Sequence, residues 1–193
     1  MCHLPLWDAS FYVLLWWIDT DLAATSRARG CRACEGGRLH VANYERKPRC
    51  GPGTPPSGFE LRLSFCCGRE GCRRRSTPPS VRFLGRRVYL GAVVVLVGAL
   101  RSGSTPKRAA ELQKLFGVSP RTLERWRRWW RETFPSGRFW SSLRGRLASP
   151  VDNDTLPASL LDRLGGAVTL GVVALMRLLE PISTAPWLET VAW

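Results

Sequence analysis

Two short-gap cysteine pairs limit what the middle of this chain can fold into. Cys31 and Cys34 enclose Arg-Ala, and Cys67 and Cys72 enclose Gly-Arg-Glu-Gly. Two thiolates separated by two residues reach one metal ion, and the glycines after the first pair leave backbone N–H groups free to approach sulfur. Leu61, Leu63 and Phe65 alternate with Arg62 and Ser64, the pattern of a strand with one buried face. Cys67 continues the parity of Phe65 and Cys66 opposes it, so Cys67 is favoured over Cys66 as the ligand. His40, six residues after Cys34, is an alternative ligand. Cys50 sits in a Gly/Pro loop and reads as a free thiol. Seven cysteines are an odd number. The apolar run Phe11 to Ile18 lacks the basic flank of a secretory signal, and Asp19 and Asp21 follow it. A reducing cytoplasm is therefore expected, where clustered cysteines bind metal more often than they form disulfides.

Two cysteine pairs, each closing a tight turn at the end of a β element, resemble a zinc ribbon. The run from Cys31 to Leu39, CRACEGGRL, is similar to the first knuckle of that family, which reads CxxC-G-G; Glu35 is inserted here. The four-residue gap of the second pair is wider than usual. The resemblance implies one Zn2+ held by Cys31, Cys34, Cys67 and Cys72.

A second pattern spans Thr105 to Phe134. Leu112, Leu115 and Phe116 have helical apolar spacing that stops at Gly117, the residue best suited to a left-handed turn. Ser119 is a good N-cap and Pro120 suits the first helical position. Leu123, Trp126, Trp130 and Phe134 then recur at three- and four-residue steps as one apolar face, with Arg121, Glu124, Arg125 and Arg128 turned away from it. Two helices joined by a Gly turn, the second rich in arginine, resemble a helix-turn-helix. Its buried positions fall on Leu112, Phe116, Val118, Leu123 and Trp126. Gln113 departs from the pattern, which usually has a small residue there. The resemblance implies that Arg121, Glu124, Arg125 and Arg128 face a DNA major groove.

Charge agrees with a polyanion partner. The chain has 193 residues, 45% of them hydrophobic, and a net charge of +14; the segment from Arg27 to Arg146 carries 27 basic and 7 acidic side chains. DNA or RNA is the first candidate and an anionic membrane surface the rival. Arg73, Arg74 and Arg75 cannot share a helix face, and the prolines after Thr77 block regular structure. They read either as a phosphate-gripping loop or as a solvated charge run, with Arg82, Arg86 and Arg87 extending the strip.

The remaining elements are simpler. A helix from about Ser10 to Ala24, capped by Ser10, should pack Phe11, Leu14, Leu15 and Ile18. Val88 to Leu100 reads as a helix beneath Leu112, Leu115, Leu123 and Trp126, or as a buried strand. At thirteen residues it is short of the about 20 that span a membrane. Short helices are expected from about Pro157 to Leu164 and on to Leu179. The fold class is α+β, mostly helical: a packing helix (1–26), a zinc-ribbon-like domain (27–79), a helix-turn-helix domain (80–146) and a helical extension (147–193). No converging carboxylates, His pair, phosphate loop or Ser-His-Asp set occurs, so binding rather than catalysis is expected.

A zinc ribbon followed by a helix-turn-helix resembles the DNA-binding part of bacterial insertion-sequence transposases. The resemblance covers Cys31 to Phe134 and implies sequence-specific DNA binding, as a homodimer or beside a transposase partner. A host transcriptional regulator, an RNA-binding zinc ribbon and a small membrane-associated protein are the alternatives.

Overall fold

The computed structural model describes residues 8–46, 57–84, 90–99, 116–165 and 167–184, together with Lys107, Ala110, Gln113 and Lys114. Expectations that rest on Cys50, Arg86, Arg87, Leu112 or Leu115 lie outside these.

Helix α1 runs Ala9–Ala28. Asp8, not Ser10, caps it: the Asp8 carboxylate accepts the Ser10 N–H at 2.9 Å. Its buried face is Phe11, Tyr12, Leu15, Ile18, Asp19 and Ala23. Leu14, expected inside, is 38% exposed, because the face centres on Leu15 and Ile18 and Tyr12 takes the flanking place.

After α1 the chain forms a long two-stranded arm. Strands β1 (Leu39–Val41) and β2 (Tyr44–Glu45) run antiparallel to β4 (Phe65–Cys67) and β3 (Leu61–Arg62). The register is continuous, from Leu39 opposite Cys67 to Glu45 opposite Leu61. β5 (Arg75–Ser76) adds to β4, giving the order β1-β4-β5. Leu61, Leu63 and Phe65 share a face as their alternation predicts, but the opposite face is not solvated: Arg62 and Ser64 are buried. The segment Thr77–Leu84 folds over that face, and Arg62 donates to Pro78 O. Burial pulls the Arg62 guanidinium down to about 10, with Asp19 opposing the shift.

The helical body follows. Helix α2 (Gly91–Gly98) is buried through Val97 and is sandwiched between α3 (Pro120–Arg128) and α7 (Val168–Leu179). A Cβ on Gly98 would come within 2.7 Å of Trp130, and one on Gly91 within 2.4 Å of Met176. Helix α3 continues through a wide π-helical turn, Trp129–Thr133, in which Phe134 N–H reaches back five residues to Trp129 O. The extra residue brings Trp129 inside alongside the expected Trp126, Trp130 and Phe134. Short helices α4 (Phe134–Ser136) and α5 (Arg138–Arg144) add Trp140, whose ring centroid is 5.3 Å from that of Phe134. Helix α6 (Ala158–Leu164) packs on α7. Among the described residues no single helix is long and apolar enough to cross a membrane.

One buried ion pair joins the parts. Arg82, expected on a basic strip, is fully buried; its Nε donates to Asp19 Oδ2 at 2.7 Å. Its other nitrogens donate to Phe59 O and Leu61 O, and the guanidinium lies 4.5 Å from the centre of the Trp16 ring. Asp19 also accepts from Ser80 Oγ at 2.6 Å and Val81 N–H at 2.7 Å, and Ser80 N–H donates to Ser183 Oγ at 2.8 Å. Helix α1 and the segment 80–82 thus meet at a single carboxylate, Arg82 extends the joint to the arm, and Ser183, after α7, joins it through Ser80. A buried arginine with no partner would be costly, which is why Arg82 is satisfied on every side.

Candidate metal centre and basic helix

The sulfurs of Cys31, Cys34, Cys67 and Cys72 all lie within 4.8 Å of one another. Cys31 Sγ is 3.7 Å from Cys72 Sγ, and Cys34 Sγ is 3.5 Å from Cys67 Sγ. A tetrahedral thiolate site with metal–sulfur bonds of about 2.3 Å sets sulfurs ~3.8 Å apart, whereas a disulfide needs about 2.05 Å. The four cysteines therefore cluster closely enough to bind a metal ion. Neither Cys66 nor His40 belongs to the cluster. The Cys66 thiol donates to Arg73 O at 3.3 Å. His40 pairs with Cys66 across the outer face, and its ring packs on Gly68, where a Cβ would come within 2.4 Å of Nε2.

The local chain is shaped to bring the sulfurs together. In the first turn Cys31 N–H donates to Gly37 O at 2.9 Å and Gly36 N–H to Cys31 O at 3.0 Å. A Cβ on Gly37 would come within 2.6 Å of Cys34 Sγ and 2.8 Å of Cys67 Sγ, so only glycine fits. Glu35 and Arg73, each directly after the second cysteine of its pair, adopt left-handed φ values of 50° and 46°. Such a conformation costs a non-glycine residue roughly 1–3 kcal/mol and persists where the surroundings impose it. Glu35 therefore performs the sharp turn that a glycine would make with less strain.

Arg69 was not singled out by the sequence, yet it ties the two turns together. Its N–H approaches Cys67 Sγ at 3.4 Å, and its guanidinium donates to Cys34 O at 3.1 Å. Its position inside the second pair was the available signal. The backbone N–H of Ala33, with smaller help from Cys34 and Cys72 and against its burial, brings the Cys31 thiol down to about 7. The Arg69 N–H pulls Cys67 down as well, but burial and the three neighbouring thiols outweigh it and push Cys67 up to about 12. Thiolates this close repel one another, and a cation held between them would offset that repulsion.

The basic candidates divide into free and committed groups. Gly117 has φ +62°, Ser119 caps α3 by accepting the Thr122 N–H, and Pro120 opens the helix, as the sequence indicates. Before the turn, Lys107, Ala110, Gln113 and Lys114 are helical and exposed, and Phe116 is helical and buried. Arg121, Glu124, Arg125 and Arg128 are exposed, opposite buried Leu123 and Trp126. Arg125 donates to Thr122 Oγ1 at 3.0 Å, which fixes one end of its guanidinium near the start of the helix. Arg73 and Arg74 are exposed. Arg75 is engaged within the arm: it donates to Ala42 O at 2.9 Å and Ser64 Oγ at 3.2 Å and lies 5.4 Å from the centre of the Tyr44 ring.

No protein-family model, curated protein or solved structure matches the chain.

Proposed function

We propose that this protein binds duplex DNA in a sequence-specific manner, with α3 as the reading helix and a zinc ion in the four-cysteine site. The observation that carries the reading is the division of α3 into two faces. Leu123 and Trp126 are buried in the core, while Arg121, Arg125 and Arg128 project to solvent with Glu124 among them. In this reading the helical residues up to Phe116, the left-handed Gly117 and α3 form a helix-turn-helix. Arginine can donate two hydrogen bonds to guanine O6 and N7, so Arg121 or Arg125 specifies a G. Arg73 and Arg74, at the tip of the ribbon, contact phosphate without regard to sequence. Zinc fits the donor set because four thiolates in a tetrahedron are a structural zinc arrangement. The protein acts by binding, either for a mobile element, beside a transposase, or as a regulator.

The test is selection of bound sequences from a random duplex pool, followed by binding of the selected site and of random duplex at several salt concentrations. Arg121→Ala or Arg125→Ala should weaken the selected site by about 1–3 kcal/mol and relax preference at one base pair. The double replacement of Arg73 and Arg74 by Ala should weaken both DNAs alike and lower the salt slope by roughly one unit per lost phosphate contact. Equal loss on both DNAs from the α3 variants would remove α3 as the reader. Displacement of DNA by duplex RNA at equal concentration would move the protein to the RNA-binding class. Elemental analysis should find one zinc per chain; another metal, or none, refutes the zinc assignment.

A further inference from the structure

We propose that the outer edge of the β arm, with the groove between the arm and α1, docks an extended segment of a partner protein that carries an apolar side chain beside a carboxylate. The backbone supports this first. Ladder hydrogen bonds along the arm fall on alternate residues: Gly68 N–H donates to Arg38 O, Ala42 N–H to Ser64 O and Arg46 N–H to Glu60 O. Antiparallel parity then turns the N–H and C=O groups of Val41, Asn43 and Glu45 away from the ladder. All three residues are exposed, Val41 to 59%, and among the described residues nothing bonds to these outward groups. A row of unpaired backbone groups is a template for one more strand.

The side chains support it next. Val41 and Asn43 share a face of the arm with Phe65, and that face looks across a groove of about 510 Å3 at Trp16, Ala24 and Arg27 of α1. A strand added outside Val41–Glu45 places every second side chain on this same face, at the mouth of the groove. The lining is largely apolar, and among the described residues Arg27 is its one charged side chain. An incoming apolar side chain therefore fits the groove, and a carboxylate next to it fits Arg27. Charge also disfavours a second copy of this chain as the occupant. Each copy carries a net charge of +14, so pairing two identical chains would set like charge against like.

The test selects peptides from a displayed library of short random sequences, using the full-length protein as purified. Selected peptides should alternate apolar with polar residues and carry Asp or Glu. Val41→Pro removes one outward N–H and no ladder bond, and proline is tolerated at such an edge position. It should weaken a selected peptide by roughly tenfold, as one lost hydrogen bond implies. Ala24→Arg, at an exposed helical position, should fill the groove and weaken the peptide at least as much. N-methylation at alternate peptide residues should abolish binding without any change to the protein. Failure to select any peptide, or binding indifferent to both variants and to N-methylation, overturns the proposal. Self-association in sedimentation that Val41→Pro abolishes overturns it too, by giving the edge to a second copy. DNA binding through α3 should be unchanged in both variants, so the two assignments fail separately.

Discussion

Among the described residues the buried cluster around the arm has five members, Ala23, Cys31, Leu39, Phe65 and Cys67, and two of them are cysteines. The helical body buries four tryptophans, at 126, 129, 130 and 140, among aliphatic side chains from α2 and α7. Strands of two or three residues bury too little apolar surface to fold on their own. The helical body has that surface and no metal cluster among its described residues. The difference teaches that one chain can rest on two kinds of support, burial in the helical body and, in the arm, four cysteines close enough to bind a metal ion. The Asp19–Arg82 pair is the joint between them.

The largest expected effect breaks the comparison at the metal. A strong chelator, or Cys31→Ser, should collapse amide-exchange protection in the arm while protection in α2, α3 and α7 persists. The loss should be a large part of the roughly 10–16 kcal/mol with which structural zinc sites bind. Cys66→Ser should change neither region. If α2 and α3 lose protection together with the arm, the two regions are one cooperative unit.

The joint comes next. Asp19→Ala leaves Arg82 buried without its carboxylate and should cost about 3–5 kcal/mol in chemical denaturation. Replacing both partners, Asp19→Leu with Arg82→Met, should recover much of that loss, because no unpaired charge is then buried. A double variant as unstable as Asp19→Ala would show that the backbone bonds of Arg82, not its charge, hold the joint. Trp130→Ala, against Gly98, should cost a similar ~3–5 kcal/mol by leaving a cavity, and metal content should not change.

The smallest effect is at the end of α7. Burial raises the Glu180 carboxyl above its usual range, with Arg177 pulling the other way and Asp19 adding to the rise. A raised folded-state value favours folding while the group is protonated, and that contribution is lost as pH climbs through it. Glu180→Gln should therefore stabilise the protein slightly at neutral pH, and the gain should vanish below the ordinary glutamate range near about 4. A gain that persists in acid would trace to packing rather than to charge.

What the sequence disclosed was local. Cys31, Cys34, Cys67 and Cys72 were legible from spacing and strand parity, and Gly117, Ser119 and Pro120 from turn chemistry; each depends on near neighbours. The misread residues depend on distant ones. Arg62 and Arg82 looked like surface charge because their partners, Pro78 O and Asp19, lie 16 and 63 residues away. The π-helical turn escaped because the spacing of Leu123, Trp126, Trp130 and Phe134 suits an ordinary helix equally well. Whether Arg75 is free was equally invisible, since Ala42 and Ser64 reach it only once the arm has formed.

The bond from Ser80 N–H to Ser183 Oγ spans 103 residues, and that separation sets an order of events during synthesis. All four cysteines have been translated by residue 72, so their cluster can form while the remainder is still being made. The buried Ser80 amide must then wait for Ser183, roughly 5–20 s later at ordinary elongation rates. Until then the joint between ribbon and helices lacks one of its partners. A ribosome stalled before Ser183 should hold a four-cysteine cluster already formed beside a joint not yet complete.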